Sequence, residues 1–396
     1  MSDVFRELFS GIIYFGSANG LRTLVMFVIA GVLIYLAIAK DYEPALLLPI
    51  GFGAILANLP PTIEGVAAVI GQESSPGFLK VLFDAGIATE LFPILIFIAV
   101  GAMIDFTPLL KNPFMIFFGA AAQFGIFITF LITLIIMPKL GIFSDEAMKI
   151  AAAVGIIGAA DGPTTIYVAN HFQLKDYMGP ISVAAYSYMS LVPIIQPPVI
   201  RALTSRKERL IRMDYTDIKV SKSVRILFPI VITIIAGVVV PMSAPLVGSL
   251  MFGNLIRECG VLEKLSKSAQ NELSSLVTIL LGLTIGSTMV GEKFIQWNTA
   301  LIMLLGLFAF IFDTAGGVLF AKFMNLFLKK KVNPMIGAAG ISAFPMSARV
   351  VQRMAKAEDP TNFILMPAIS ANVAGQLGSI VAGGLMIQLV SMLIAR

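Results

Sequence analysis

A lone aspartate, Asp161, sits in the run GAADGPTT (residues 158–165), inside a long stretch that is otherwise apolar. An ionised carboxylate among apolar side chains is costly unless a cation, a proton or hydrogen-bond donors compensate it, so such a residue within a membrane-length segment points first to function. A hard monovalent cation such as sodium takes oxygen ligands. The run offers the Asp161 carboxylate, the hydroxyls of Thr164 and Thr165, and whatever backbone carbonyls Pro163 frees by interrupting a helix. The competing reading is a structural aspartate, protonated or salt-bridged.

A second stretch, NPMIGAAGISAFPMSARV (residues 333–350), offers Asn333, Ser342, Ser347 and Arg349. Asn and Ser supply neutral oxygens to a cation, whereas an arginine in an apolar setting needs an anionic partner or a substrate carboxylate. Arg349 could equally snorkel to a membrane edge. In SANVAGQLGS, the residues Asn372, Gly375, Gly378 and Ser379 form a small, polar helix face that close packing between membrane helices explains as well as ligation does. Tyr186, Tyr188 and Ser190 follow the first run; a buried phenol can pass a proton, and an interfacial one anchors a helix. His171, beside Asn170, is a weaker candidate for proton relay. Asp105, Gln123 and Asp313 fall at or within apolar stretches where nothing converges, and they read as packing or helix-end residues.

The elements that must position these groups are membrane helices. Of 396 residues, 58% are apolar and only 13% charged, whereas a water-facing surface needs about a quarter. Apolar stretches fall at 23–39, 45–59, 91–104, 113–137, 147–172, 178–202, 226–241, 244–256, 272–289, 299–323, 335–355 and 362–393. The net charge of +5 resides mainly in short loops, so it reads as topology and not as a nucleic-acid partner. With one cysteine and one histidine, intrachain disulfides and Cys/His zinc sites are excluded, and a Ser/His/Asp triad is disfavoured. Residues 1–22 lack the basic, apolar and small-residue order of a cleaved leader and read as a retained amphipathic segment at the membrane surface.

The basic loop 205–225 divides the chain into membrane segments 23–204 and 226–396, and the positive-inside rule makes it cytoplasmic. The halves share three matches in order. Pro49, Asn58 and Leu59 recur as Pro245, Asn254 and Leu255; Gly101 recurs as Gly286; Gly155, Gly158 and Pro163 recur as Gly337, Gly340 and Pro345. In both halves the last match puts glycines and a proline inside an apolar segment, which predicts two short half-helices joined by irregular backbone. Half-helices of ~10–14 residues are too short to cross alone, so both segments read as re-entrant hairpins. The predicted fold is therefore an all-α polytopic membrane protein of two inverted repeats, about five spans each, with broken helices converging on an ion site.

These stretches also resemble a known family. GIIGAADGPTTIYVAN, ELFPILIFIAVGAMIDFTPLLKNP and NPMIGAAGISAFPMSARV resemble signature segments of the beta subunits of sodium-pumping, biotin-dependent decarboxylases acting on oxaloacetate, methylmalonyl-CoA or glutaconyl-CoA, and the similarity runs from about residue 23 to the C-terminus. The resemblance implies a bacterial or archaeal cytoplasmic-membrane subunit that decarboxylates carboxybiotin, exports sodium and consumes a proton. It implies that Asp161 serves sodium and proton, that Asn333, Gly337 and Ser342 are functional and belong with Asn372 to the sodium site, and that Arg349 and Tyr188, with Tyr186 as near neighbour, act with Asp161 in catalysis. Thr164 joins the expected sodium oxygens, Ser342 the carboxybiotin contacts, and Arg349 is the expected holder of the carboxybiotin carboxylate. Implied partners are a carboxyltransferase subunit, a biotin carrier protein, a small membrane subunit and further copies of this chain. The alternative on the residues alone is a sodium-coupled carboxylate symporter or cation/proton antiporter.

Overall fold

The computed structural model describes residues 10–60, 70, 76–140, 144–213 and 219–395. The amphipathic reading of residues 1–22 lies partly outside this set; from Ser10 there is a short helix, Ser10–Tyr14, and then α1, Ala18–Lys40, whose N-terminus is capped by the Ser17 hydroxyl accepting from the Gly20 amide at 3.0 Å. The helices that follow are α2 (Pro44–Ala57), α3 (Leu91–Met103), α4 (Ile116–Ala122), α5 (Phe124–Ile136), α6 (Ser144–Ile157), α7 (Gly162–His171), α8 (Met178–Ser190) and α9 (Val192–Leu203). Beyond the basic loop come α10 (Lys222–Val239), α11 (Ala244–Glu258), α12 (Ser274–Ser287), α13 (Trp297–Phe327), α14 (Met335–Ala338), α15 (Met346–Glu358) and α16 (Leu365–Ile394). Five straight or nearly straight helical segments are long and apolar enough to cross a membrane, and two bent pairs extend the number to seven. The chain is thus an all-α, multi-pass membrane protein.

Two bends and one interruption were not foreseen. The segment predicted at 178–202 turns by 69° at Leu191, where Pro193 removes a donor from the first turn of α9. The segment predicted at 113–137 is interrupted at Gln123, between α4 and α5. A short helical stretch, Phe78–Ile87, precedes α3 and meets it at 63°, with Glu90 at φ 64° between them. Its last five residues, Phe83–Ile87, form a π-turn, and another π-turn, Ala269–Leu273, precedes α12.

The halves pack crosswise. α2 lies on α12, and α3 lies on α11. Side-chain-free positions permit the contact: a Cβ on Gly286 would strike the Ile50 carbonyl, and one on Gly101 would strike the Leu250 carbonyl. The matched asparagines close these crossings. Asn58 Nδ2 donates to the Met289 carbonyl at 2.6 Å, and Asn254 Nδ2 to the Ile104 carbonyl at 2.9 Å.

The two broken segments approach from opposite ends of α13, which at 31 residues is about 45 Å long. Glu146 and Lys149, at the start of the first segment, line one surface cavity with Phe172 to Tyr177, which follow its end. That end of the molecule is joined to the start of α13 by Lys293 and Asp176, 2.5 Å apart. The second segment begins and finishes against the basic loop: Asn333 donates to the Arg209 and Ile211 carbonyls at 2.8 and 2.9 Å, Glu358 pairs with Arg209 at 2.7 Å, and Asp359 with Arg212 at 2.7 Å. Lys322, near the far end of α13, bonds to the Leu203 carbonyl at 2.9 Å and to Glu208 at 3.2 Å, placing that loop there.

Candidate functional site

Where the two segments break, their backbones touch: the Ser342 amide donates to the Ala159 carbonyl at 2.8 Å. In the first break, Gly158 to Ala160 form a turn in which Ala160 takes φ 52°, and α7 restarts with Asp161 as its N-cap and Pro163 in its first turn. Proline is tolerated there because the first-turn amides have no helical partner in any case. The Asp161 carboxylate, 3% exposed, accepts from the Thr164 amide at 3.1 Å through one oxygen and, through the other, from the hydroxyls of Ser342 at 3.2 Å and Ser379 at 2.7 Å. The Thr164 hydroxyl is buried near the same carboxylate and has no hydrogen-bond partner, so its oxygen remains free. The half-helix N-terminus offsets part of the charge, roughly half an elementary unit, and leaves the rest for a cation or proton.

In the second break the irregular run between α14 and α15 leaves carbonyls without helical donors, and side chains from three other segments take them up. Gln196 Nε2 donates to Ala338 at 2.8 Å, Gln123 Nε2 to Gly340 at 3.2 Å, and Asn372 Nδ2 to Ile341 at 2.7 Å. Within the break, the Ser347 hydroxyl donates to Ala339 at 3.3 Å. Irregular backbone persists at membrane depth only with such satisfaction. The break also sits close to its neighbours: Gly337 meets Gly317 of α13, and Gly375 of α16 meets Gly340, backbone to backbone.

One face of α16 therefore serves both breaks, with Asn372 on the second, Gly375 packed beneath it and Ser379 on Asp161. The packing and the bonding readings of this face hold together. Asn372 Oδ1 and the Gln123 and Gln196 amide oxygens have no protein partner, so neutral acceptors remain close to the break. Among the described residues no cluster of three His, Cys, Asp or Glu exists, and the oxygens suit an alkali cation better than a transition metal.

Of the residues expected from sequence, Asp161, Thr164 and Ser342 come together, and Asn372 lies one residue from Ser342 through its bond to Ile341. Gly337 is a close-packing point on α13. Asn333 is not brought to Asp161: its amide group is spent on the Arg209 and Ile211 carbonyls and its oxygen accepts from the Met335 amide at 3.1 Å, which pins the mouth of the second segment to the basic loop. Arg349 is exposed on α15. The tyrosines separate. Tyr186 is 2% exposed, its ring covers Gly162 and its hydroxyl, without a hydrogen-bond partner, is within electrostatic range of Asp161, whereas Tyr188 donates to the Met303 carbonyl of α13 at 2.5 Å. Ser379 and Gln123 were missed as direct participants; the spacing of seven between Asn372 and Ser379 was the available signal, and Gln123 carried none. Asp313, read from sequence as a packing or helix-end residue, is fully buried at the middle of α13, against Gly125 and Ile126 at the start of α5, and neither of its oxygens is within hydrogen-bond distance of a partner.

Comparison with known proteins identifies the family of the chain. The family model described as the Na+-transporting oxaloacetate decarboxylase beta subunit matches residues 22–390. Methylmalonyl-CoA decarboxylase subunit beta of Propionigenium modestum is 47% identical over 382 residues, covering 93% of this chain and 94% of that protein. The subunit of the same name from Veillonella parvula is 47% identical over 384 residues, 96% of each chain. The oxaloacetate decarboxylase beta chain of Klebsiella pneumoniae is 43% identical over 427 residues, covering 96% of this chain and 97% of its own.

Proposed function

Because the chain belongs to the family of beta subunits of the Na+-transporting oxaloacetate decarboxylases, we propose that it is the membrane subunit of a sodium-pumping decarboxylase, with Asp161 as the carboxylate that carries sodium. The observation that carries the reading is the meeting of two broken segments at one buried carboxylate, supplied with hydroxyls from Thr164, Ser342 and Ser379. Asn372 Oδ1 completes the oxygen set for the cation. The halves 23–204 and 226–396 are inverted repeats; the crossed packing of α2 on α12 and α3 on α11, and the approach of the two broken segments from opposite ends of α13, support that relation.

In this reading the basic loop is cytoplasmic, in the cytoplasmic membrane of a bacterium or archaeon, and sodium reaches Asp161 from that side. A biotin carrier protein, loaded by a carboxyltransferase subunit, presents carboxybiotin; a small membrane subunit and further copies of this chain complete the assembly. Arg349 is exposed on α15 and suits the carboxylate of carboxybiotin, with a guanidinium fork that matches two oxygens. The N–CO2 bond breaks to release CO2, and the biotin nitrogen takes one proton. Tyr186, whose ring covers Gly162 next to Asp161, is better placed than Tyr188 to pass that proton, since Tyr188 is held by α13. Export against 100 mV costs ~2.3 kcal/mol per charge, so sodium release must be tied to a conformational change that decarboxylation drives.

The test is sodium-22 uptake by liposomes containing the chain in its native complex. Uptake that requires decarboxylation and is abolished by Asp161→Asn is the expected result. Uptake driven by a sodium gradient alone and indifferent to biotin would replace this reading with a symporter.

A further inference from the structure

At the basic-loop end of α13, a cavity of about 570 Å³ is lined by Lys207, Lys322 and Lys331 against a single acidic residue, Glu208. Lys322 is fixed between the Leu203 carbonyl and Glu208, while Lys207 and Lys331 stand exposed at the rim. The backbone next to Lys331 is also fixed. Asn325 of α13 clamps Val332 by two hydrogen bonds of 2.8 Å, one to its carbonyl and one from its amide. The cavity holds three cations against one carboxylate, and Ile211, Phe323 and Leu326 give it an apolar wall.

That wall continues into the bilayer region. Phe323 lines the cationic pocket and also a groove of about 630 Å³ between α4, α5 and α13. Ala120, Ala121 and Gly316 keep the floor of the groove low, and its aromatic rims are left open, with Phe117 56%, Phe124 57% and Phe323 53% exposed. A cationic pocket at the membrane surface that shares Phe323 with an apolar groove along a spanning helix has the chemistry of a phospholipid: a phosphate at one end and an acyl chain at the other. A transmembrane helix from a partner would fill the groove but would meet the lysines only if it carried an acidic residue at its end. A zwitterionic headgroup would bring its own ammonium against them.

We propose that this pocket and groove form a binding site for an anionic phospholipid, with Lys207, Lys322 and Lys331 on the phosphate and the groove beside Phe323 and Gly316 on an acyl chain. The site is separate from Asp161, so it stands or falls independently of the pumping mechanism.

The experiment is native mass spectrometry of the chain in its complex, released from nanodiscs of mixed phosphatidylcholine and phosphatidylglycerol. Phosphatidylglycerol retained in preference to phosphatidylcholine is expected, and K207Q/K331Q, both surface changes, should weaken that retention about thirtyfold, at ~1 kcal/mol per lysine. Gly316→Leu, which fills the groove and leaves the lysines alone, should also release the lipid. Equal retention of the two lipids, or unchanged retention in K207Q/K331Q, would overturn the proposal. So would a photocrosslinking residue placed at Phe323 that labels a second copy or another subunit instead of lipid.

Discussion

Ser379→Ala removes one oxygen from a side chain that is wholly buried and donates to Asp161 at 2.7 Å. Alanine fits the same space, so the helix should fold as before and the change should fall on the ion site. A hydrogen bond to a charged group contributes about 1.5–3 kcal/mol net, more than twice a neutral one. When sodium arrives, the same hydroxyl can keep its donor bond to Asp161 and turn a lone pair toward the ion, so that bond is common to the empty and filled sites and what the variant loses on binding is one sodium oxygen, a contact on the same scale of about 1.5–3 kcal/mol. At roughly 1.4 kcal/mol per factor of ten, the sodium concentration for half-maximal uptake should rise about ten- to hundredfold, with the maximal rate less affected. Sodium-22 uptake at a series of sodium concentrations reads this directly. Ser370→Ala is the control: that serine is equally buried on the same helix but bonds only to the Met366 carbonyl at 3.0 Å, and its removal should leave the sodium dependence alone. Half-saturation in Ser379→Ala within twofold of the parent protein would refute the assignment of Ser379 to the ion site.

Three further outcomes are expected. Tyr186→Phe should slow carboxybiotin decarboxylation at saturating sodium, whereas Tyr188→Phe, which loses only the bond to Met303, should lower the melting temperature and leave turnover near normal; single-turnover assays and thermal melts of both variants separate the two. Gly101→Ala drives a methyl group into the Leu250 carbonyl and should destabilise the α3–α11 crossing by ~1–3 kcal/mol, seen as a lower melting temperature in detergent. Asp359 is held down to about 2, from 3.8, by the Thr361 hydroxyl and amide and then by Arg212. A depressed carboxyl stabilises the fold above its unfolded value, so the difference in melting temperature between the parent and Asp359→Asn should be constant from pH 7 to 5 and shrink as pH falls through the range from about 4 to about 2.

Much of this architecture is legible in the sequence because a bilayer imposes simple demands. Each predicted apolar stretch has a helix, or helices joined by a bend or break, over it, since a helix satisfies its own backbone within one segment. Asp161 was conspicuous because charge at membrane depth is rare, and the proline and glycines around it marked the break. Bends were less visible. The turn at Leu191 had Pro193 as a signal, but the interruption at Gln123 has no proline, only Gly119 and Gly125 nearby, and is held by a side chain reaching Gly340, 217 positions away. Asn333 shows the opposite failure. Residue type and neighbourhood suggested an ion ligand, yet the fold consumes both ends of its amide at the mouth of the hairpin, and no local pattern encodes where a loop 120 residues earlier will lie. Tyr186 and Tyr188 are two positions apart on a helix and point about 200° from one another, so only tertiary packing could tell which faces the carboxylate.

The crossed pairing of α2 with α12 and α3 with α11 bears on how the protein is made. While the first half leaves the ribosome, the glycine-bearing faces of α2 and α3 have no mates, because their mates have not been synthesised. Asn58 must wait for Met289, and Asn254, when it arrives, reaches back to Ile104. An early membrane intermediate with two unfilled seams is therefore built into the order of synthesis, and the second half acts as its template. A chain cut within the basic loop should mature only when both fragments meet in the same bilayer, where their mutual seams would reassemble them without a covalent link.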